Sequence, residues 1–251
     1  MSKQQYLLSG VASAMAFALF ASSVASFAQA SDRTAFAQKP EQKVTARQVA
    51  TLLDRAHYKD QRLDESMSQV ILQQYFDKLD PNRTLLLQSD VDEFISKYGI
   101  TYAAYLIRGD LTPGIEIFER FRTRSFEYFK AAKAHLATDI DLYTNKSIIL
   151  DREKAPRFRS KKEQLEYWKN QTTLSLITIM INQDSDKAKD QVYLQNPELA
   201  RGQDLVKAES RTPKEILLNR IKRQEEQLER LKNDEVMESI LDAAAIAYEP
   251  H

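Results

Sequence analysis

The sequence has no cysteine, and only five glycines, three histidines and one tryptophan among 251 residues. Without cysteine there can be no disulfide, no thiolate zinc site and no thiol nucleophile, although an oxidising compartment remains compatible. Glycines this few and scattered exclude a phosphate-cradling loop and argue against a turn-rich β fold. An excess of one charge is also missing. Thirty-six basic side chains face 36 acidic ones, so neither nucleic acid nor an anionic membrane is called for as the main partner. His-Glu-x-x-His and Gly-x-Ser-x-Gly do not occur, which removes the patterns of a helix-borne zinc hydrolase and of a nucleophile-elbow serine hydrolase.

What the chain does have is 43% apolar residues in helical spacing. At this length a chain removes roughly 70% of its unfolded surface from water, enough for a core without metal or disulfide. The organising stretch is Phe76 to Val91, FDKLDPNRTLLLQSDV. Ile71, Leu72, Tyr75, Phe76 and Leu79 lead into it at three- and four-residue steps. Asp80-Pro81-Asn82 then stops that helix, because proline disfavours the α conformation in the residue before it. Leu85, Leu86 and Leu87 form an apolar run too short for a helix. Ser89-Asp90 is expected to open the next helix, with Ser89 as cap and Asp90, Asp92 and Glu93 at the positive end of its dipole. The pattern predicts a helix, a buried elbow and a second helix.

The first thirty residues look like an export signal. Lys3 gives a positive start, Val11 to Phe20 is an apolar run of secretory length, and Ala28-Gln29-Ala30 is a small-x-small cleavage site. A permanent anchor is the competing reading, but the run is short and rich in alanine and serine. Cleavage after Ala30 removes Lys3 and leaves 35 basic against 36 acidic side chains, a net charge of −1 with no remaining membrane span. Residues 31–43 are polar and aperiodic and read as a flexible leader.

Further helices follow. Val49, Leu52, Leu53 and Ala56 share one side of the first, and Asp64 caps the one entering the elbow. Gly99 offers a left-handed stop after Lys97. Thr112-Pro113 starts a long aromatic helix carrying Phe118, Phe121, Phe126 and Phe129, with a capping hydroxyl and a proline in the first turn. Ser160 with Glu163 is a capping-box pattern for a helix showing Leu165, Trp168, Leu176, Ile177, Met180 and Ile181. Thr212-Pro213, with Glu215 beyond, opens another, whose Leu217, Ile221, Leu228 and Leu231 fit either bundle packing or a dimerising coiled coil; bundle packing is the simpler account. Val236 to Tyr248 is the last. The expected fold is an all-α, irregular multi-helix bundle with no substantial β-sheet.

Three stretches together carry a family resemblance: His57-Tyr58 with the elbow through Ser89-Asp90-Val91, then Leu150-Asp151-Arg152-Glu153-Lys154-Ala155-Pro156, and finally Ala247-Tyr248-Glu249-Pro250-His251. In order and spacing they resemble the N-terminal helical domain of the tail-specific proteases, the periplasmic C-terminal processing serine peptidases of Gram-negative bacteria. Residues 44–251 are then that domain, and 182–211 an inserted, partly helical excursion. In the family the last motif leads into a PDZ domain and a catalytic core, whereas this sequence ends at His251. The resemblance implies a whole protein that is a serine endopeptidase acting on proteins with apolar C-termini. It implies a helical domain that braces the PDZ and protease parts, and a helical-repeat outer-membrane lipoprotein adaptor as a further partner. The serine–lysine dyad it implies lies beyond the PDZ domain, so this chain alone is expected to be inactive. The alternative is a free-standing periplasmic helical binding or adaptor protein.

No residue is assigned as catalytic, cofactor-binding or metal-binding, and no cofactor is expected. Asp139 with Asp141, and Asp90 with Asp92 and Glu93, could serve metal or acid–base chemistry; a solvated loop and a helix N-terminus are the favoured readings. The four phenylalanines could line a groove, but their helical spacing favours core. Asp151, Arg152 and Lys154 fit either an interdomain salt bridge or a surface loop. His57, His135 and His251 lack a partner pattern, and the Asn82, Asn145 and Asn170 sequons receive no role.

Overall fold

In a computed structural model the described residues are 35–56, 62–143, 145–195 and 211–248. Their regular elements are α1 (Pro40–Ala56), α2 (Glu65–Leu79), α3 (Gln88–Tyr98), α4 (Tyr102–Ile107), α5 (Thr112–Leu136), α6 (Lys161–Gln195), α7 (Pro213–Glu229) and α8 (Asn233–Tyr248). No strand occurs among the described residues, and the all-α expectation holds.

Local chemistry explains most of the boundaries. Asp64 opens α2 by accepting from the Ser66 and Met67 amides at 2.9 and 3.3 Å. At α7 the box is reciprocal: the Glu215 amide donates to Thr212 Oγ1 at 3.3 Å, and the Thr212 amide donates to the Glu215 carboxylate at 2.7 Å. At α6 half of the expected box forms, with the Glu163 amide donating to Ser160 Oγ at 3.2 Å. Two expectations are corrected. The cap position of α5 is Leu111, with no side-chain cap, so Thr112 is already the first helical residue and its hydroxyl does not cap; its amide donates to Asp110 at 3.0 Å in the preceding turn. Gly99 ends α3 in a right-handed conformation, φ −56°, and among the described residues the left-handed glycine is Gly109, φ +70°. A Cβ at Gly109 would lie 2.3 Å from the Lys43 carbonyl oxygen, so that turn needs glycine for both conformation and space.

The core is built outward from α2. Met67, Ile71, Leu72, Tyr75 and Phe76 are completely buried there, packed mainly against α8 and α4. Burying each aliphatic or phenyl side chain among them contributes roughly 1.5–3 kcal/mol. On α8 the buried face is Val236, Met237, Ile240, Ala243, Ala244, Ala247 and Tyr248. α5 packs against α6, α7 and α8, and α1 against α4 and α8. On α7, Leu217, Ile221 and Leu228 are spent inside the bundle, while Leu231 falls beyond the helix end.

Three segments differ from the sequence expectation. Residues 36–43, read as leader, are docked. Phe36 packs edge-to-face on Phe118 at 5.3 Å, the Leu111 amide donates to Gln38 Oε1 at 3.1 Å, and α1 already starts at Pro40. The buried row of α1 is Gln42, Ala46 and Ala50, whereas Leu52 is 63% exposed. On α6 the buried row is Gln164, Trp168, Thr172, Leu176 and Ile179, and Leu165 and Ile181 face solvent. α6 also continues through residues 182–195 of the region read as an excursion. Residues 196–210 of that region, the export signal, His57-Tyr58 and residues 249–251 lie outside the described residues.

Candidate functional site

The chemistry of this chain concentrates at the elbow, where two buried carboxylates hold the backbone. Asp80 ends α2 with only 2% of its surface exposed. One of its oxygens accepts from the Thr84 amide at 2.8 Å. The other accepts from the Leu85 and Leu86 amides at 3.1 and 2.9 Å and from Arg157 Nη1 at 2.5 Å. Arg83, whose φ is +53°, makes the bend that lets three successive amides face one side chain.

The elbow carbonyls are satisfied from α6. Trp168 Nε1 donates to the Thr84 carbonyl at 2.9 Å, and Gln164 Nε2 to the Leu85 carbonyl at 2.7 Å. The Gln88 amide donates to the Phe158 carbonyl at 3.0 Å. With its polar groups paired in this way, the elbow can bury Leu86 and Leu87 at little cost.

Asp90 is the second anchor, also 2% exposed. Its carboxylate accepts the Leu87 amide at 2.9 Å, so Leu87 and not Ser89 is the cap position of α3. Arg124 grips it with a two-point fork, Nε at 2.8 Å and Nη2 at 2.9 Å, and Arg120 adds a bond at 2.6 Å. Burial pushes the Asp90 pKa up, but the bonds from Arg124, Arg120 and the Leu87 amide outweigh it and hold the carboxyl below its ordinary value. The network runs on from Arg120 to Glu93, from Arg124 to Glu127 and from Glu127 to Lys161, joining α3, α5 and α6. Asp90 is therefore not the solvated helix-end residue expected, while Asp92 and Glu93 remain exposed.

Other sequence candidates separate cleanly. Phe118, Phe126 and Phe129 are core, with Phe121 packed against it. Arg152 is buried, stacked over Phe158 at 4.2 Å and Tyr167 at 5.1 Å, and it donates to the Pro156 carbonyl at 2.7 Å. It closes its own loop, which corrects the surface-loop reading for that residue; Asp151 and Lys154 stay exposed. Asp139 and Asp141 line a groove of about 620 Å³ with His135, Lys146, Glu166 and Lys169. There His135 Nε2 lies 2.8 Å from Thr173 Oγ1, and burial, then Lys169, lowers its pKa. Lys146 neutralises Glu166 at 2.7 Å. No group of three or more His, Asp or Glu able to hold a metal occurs among the described residues.

Sequence reasoning missed both arginine clamps. Asp80 and Arg157 are 77 residues apart, Asp90 and Arg124 are 34 apart, and no local spacing marks either pair. The one available signal was Asp-Pro at a helix end followed by a short apolar run.

Comparison with known proteins places this architecture. The family model described as the tail specific protease N-terminal domain matches residues 49–251. A tail-specific protease from Haemophilus influenzae is 29% identical over 141 residues, which is 56% of this chain and 20% of that protein. The matched part thus spans about a fifth of that relative's length. No helix among the described residues is long and apolar enough to cross a membrane.

Proposed function

Since the chain belongs to the family of tail-specific protease N-terminal domains, we propose that it serves as the non-catalytic helical brace of a serine endopeptidase that acts on proteins with apolar C-termini. The observation that carries this reading is how the buried charges are used. Asp80, Asp90, Arg124 and Arg157 are spent on fixing backbone and joining helices, in an arrangement suited to a rigid support. A catalytic acid or base needs reach to a substrate proton, and these groups are closed off from solvent.

In this reading the protein is exported to the periplasm by residues 1–30, cleaved after Ala30, and holds the PDZ and protease parts in register. An outer-membrane helical-repeat lipoprotein adaptor is a further partner. The direct experiment mixes the purified chain with the Haemophilus influenzae tail-specific protease from which its own N-terminal domain has been removed. The chain alone leaves an unfolded protein substrate intact, and its addition restores cleavage to the deleted protease. Hydrolysis by the chain alone, persisting through repurification, would overturn the non-catalytic role. Failure to bind or activate the deleted protease would overturn the bracing role.

A further inference from the structure

A groove of about 500 Å³ lies between α1 and α8, with no elbow residue in its lining. Its floor is apolar: Met237, Leu241 and Ala245 form a one-turn-spaced row on α8, and Val49 joins them from α1. Leu52, three residues on from Val49, continues the apolar stripe of α1 and is 63% exposed. On α1 the sequence pattern sends Val49 and Leu52 to the core, yet small Ala46 and Ala50 take that place and leave the larger pair less buried.

The rim has one sign of charge. Glu41, Asp234, Glu238 and Asp242 all line the groove, with no lysine or arginine among the lining residues. Glu41 and Glu238 are exposed and have no charged partner among the described residues. Asp242 shows what the rim accepts, because Lys78 from α2 already reaches it at 2.9 Å.

We propose that this groove docks a basic amphipathic helix of another polypeptide, with its apolar row on the floor and its lysines or arginines against the acidic rim. Such a helix matches both the row spacing and the charge. The two long segments of this sequence outside the described residues do not fit. Residues 1–34 carry only Lys3 and Arg33 with Asp32, and 196–210 carry Arg201 and Lys207 against Glu198, Asp204 and Glu209.

The test uses the purified chain and a fluorescent synthetic helix of about 18 residues, with leucines at i, i+3, i+4 and i+7 and lysines elsewhere. A matched peptide with glutamates in place of the lysines is the control. The lysine peptide binds, its affinity falls with added salt, and the glutamate peptide does not bind. Glu41→Lys with Glu238→Lys weakens binding at least about tenfold, and Ala245→Trp, which fills the floor without touching a charge, does the same. All three positions are exposed, and circular dichroism checks that helix content is kept. Equal binding of both peptides, no binding of the lysine peptide, or unchanged binding by either variant would overturn the proposal. The assay needs no protease, so its failure leaves the bracing role standing.

Discussion

The elbow and the α1–α8 face reach rigidity by opposite routes. At the elbow, charges sit inside: Asp80 and Asp90 are each 2% exposed and each is clamped by arginine. At the α1–α8 face, small residues let the backbones approach; Ala46, Ala50, Ala243 and Ala244 are buried and the carboxylates stay outside. The difference teaches where specificity lies. Close packing of alanines tolerates many neighbours of similar volume. A carboxylate aimed at three amides and a guanidinium tolerates one arrangement, because any displacement leaves a buried charge unpaired.

Breaking the elbow therefore costs most. Asp80→Ala removes the acceptor of three amides and leaves buried Arg157 only its longer 3.7 Å ion pair with Asp77, and a loss of about 3–5 kcal/mol is expected in chemical denaturation. Asp90→Asn keeps the shape and an acceptor for the Leu87 amide but discharges the Arg124 fork, with an expected loss of about 2–3 kcal/mol. The same carboxyl sets an acid limit. Its folded pKa lies below the unfolded one, so its stabilisation is complete above the ordinary carboxylate value of about 4 and is lost as pH falls through the folded value. Denaturation curves of wild type and Asp90→Asn are expected to differ at pH 7 and converge in acid.

The close packing on α8 is probed from another of its neighbours, α5, with Gly114→Ala. Its new Cβ would lie 2.7 Å from Ile240, a completely buried side chain of α8, and overpacking is expected to cost about 1–3 kcal/mol. The smallest effect belongs to the ion pair between Lys78 and Asp242. Lys78→Ala is expected to change stability by less than about 1 kcal/mol, since Asp242 is more than half exposed. If that loss matched the Asp80 loss, the contrast between the two regions would be wrong.

Legibility in the sequence follows the same division. The α2 stripe, the Asp64 cap and the Thr212–Glu215 box were readable because each is a signal within four residues. The buried row of α6 was not, because Gln164 and Thr172 are polar and are buried only by what they bond: elbow carbonyls for one, the Trp168 carbonyl for the other. On α1 the larger apolar residues masked the smaller ones that close approach selects. The elbow is legible as a corner, but its clamps are not, since their partners arrive from α5 and from the loop before α6. The non-catalytic reading came from the resemblance and from missing motifs, while the groove came only from the structure.

The spacing of the Asp80 clamp also has a consequence in time. Arg157 is encoded 77 residues after the carboxylate it neutralises. At a synthesis rate of about 5–20 residues per second, Asp80 waits about 4 to 15 s for its guanidinium. During that interval the nascent chain can make the α2 turn but cannot lock the corner, so closure awaits the C-terminal half.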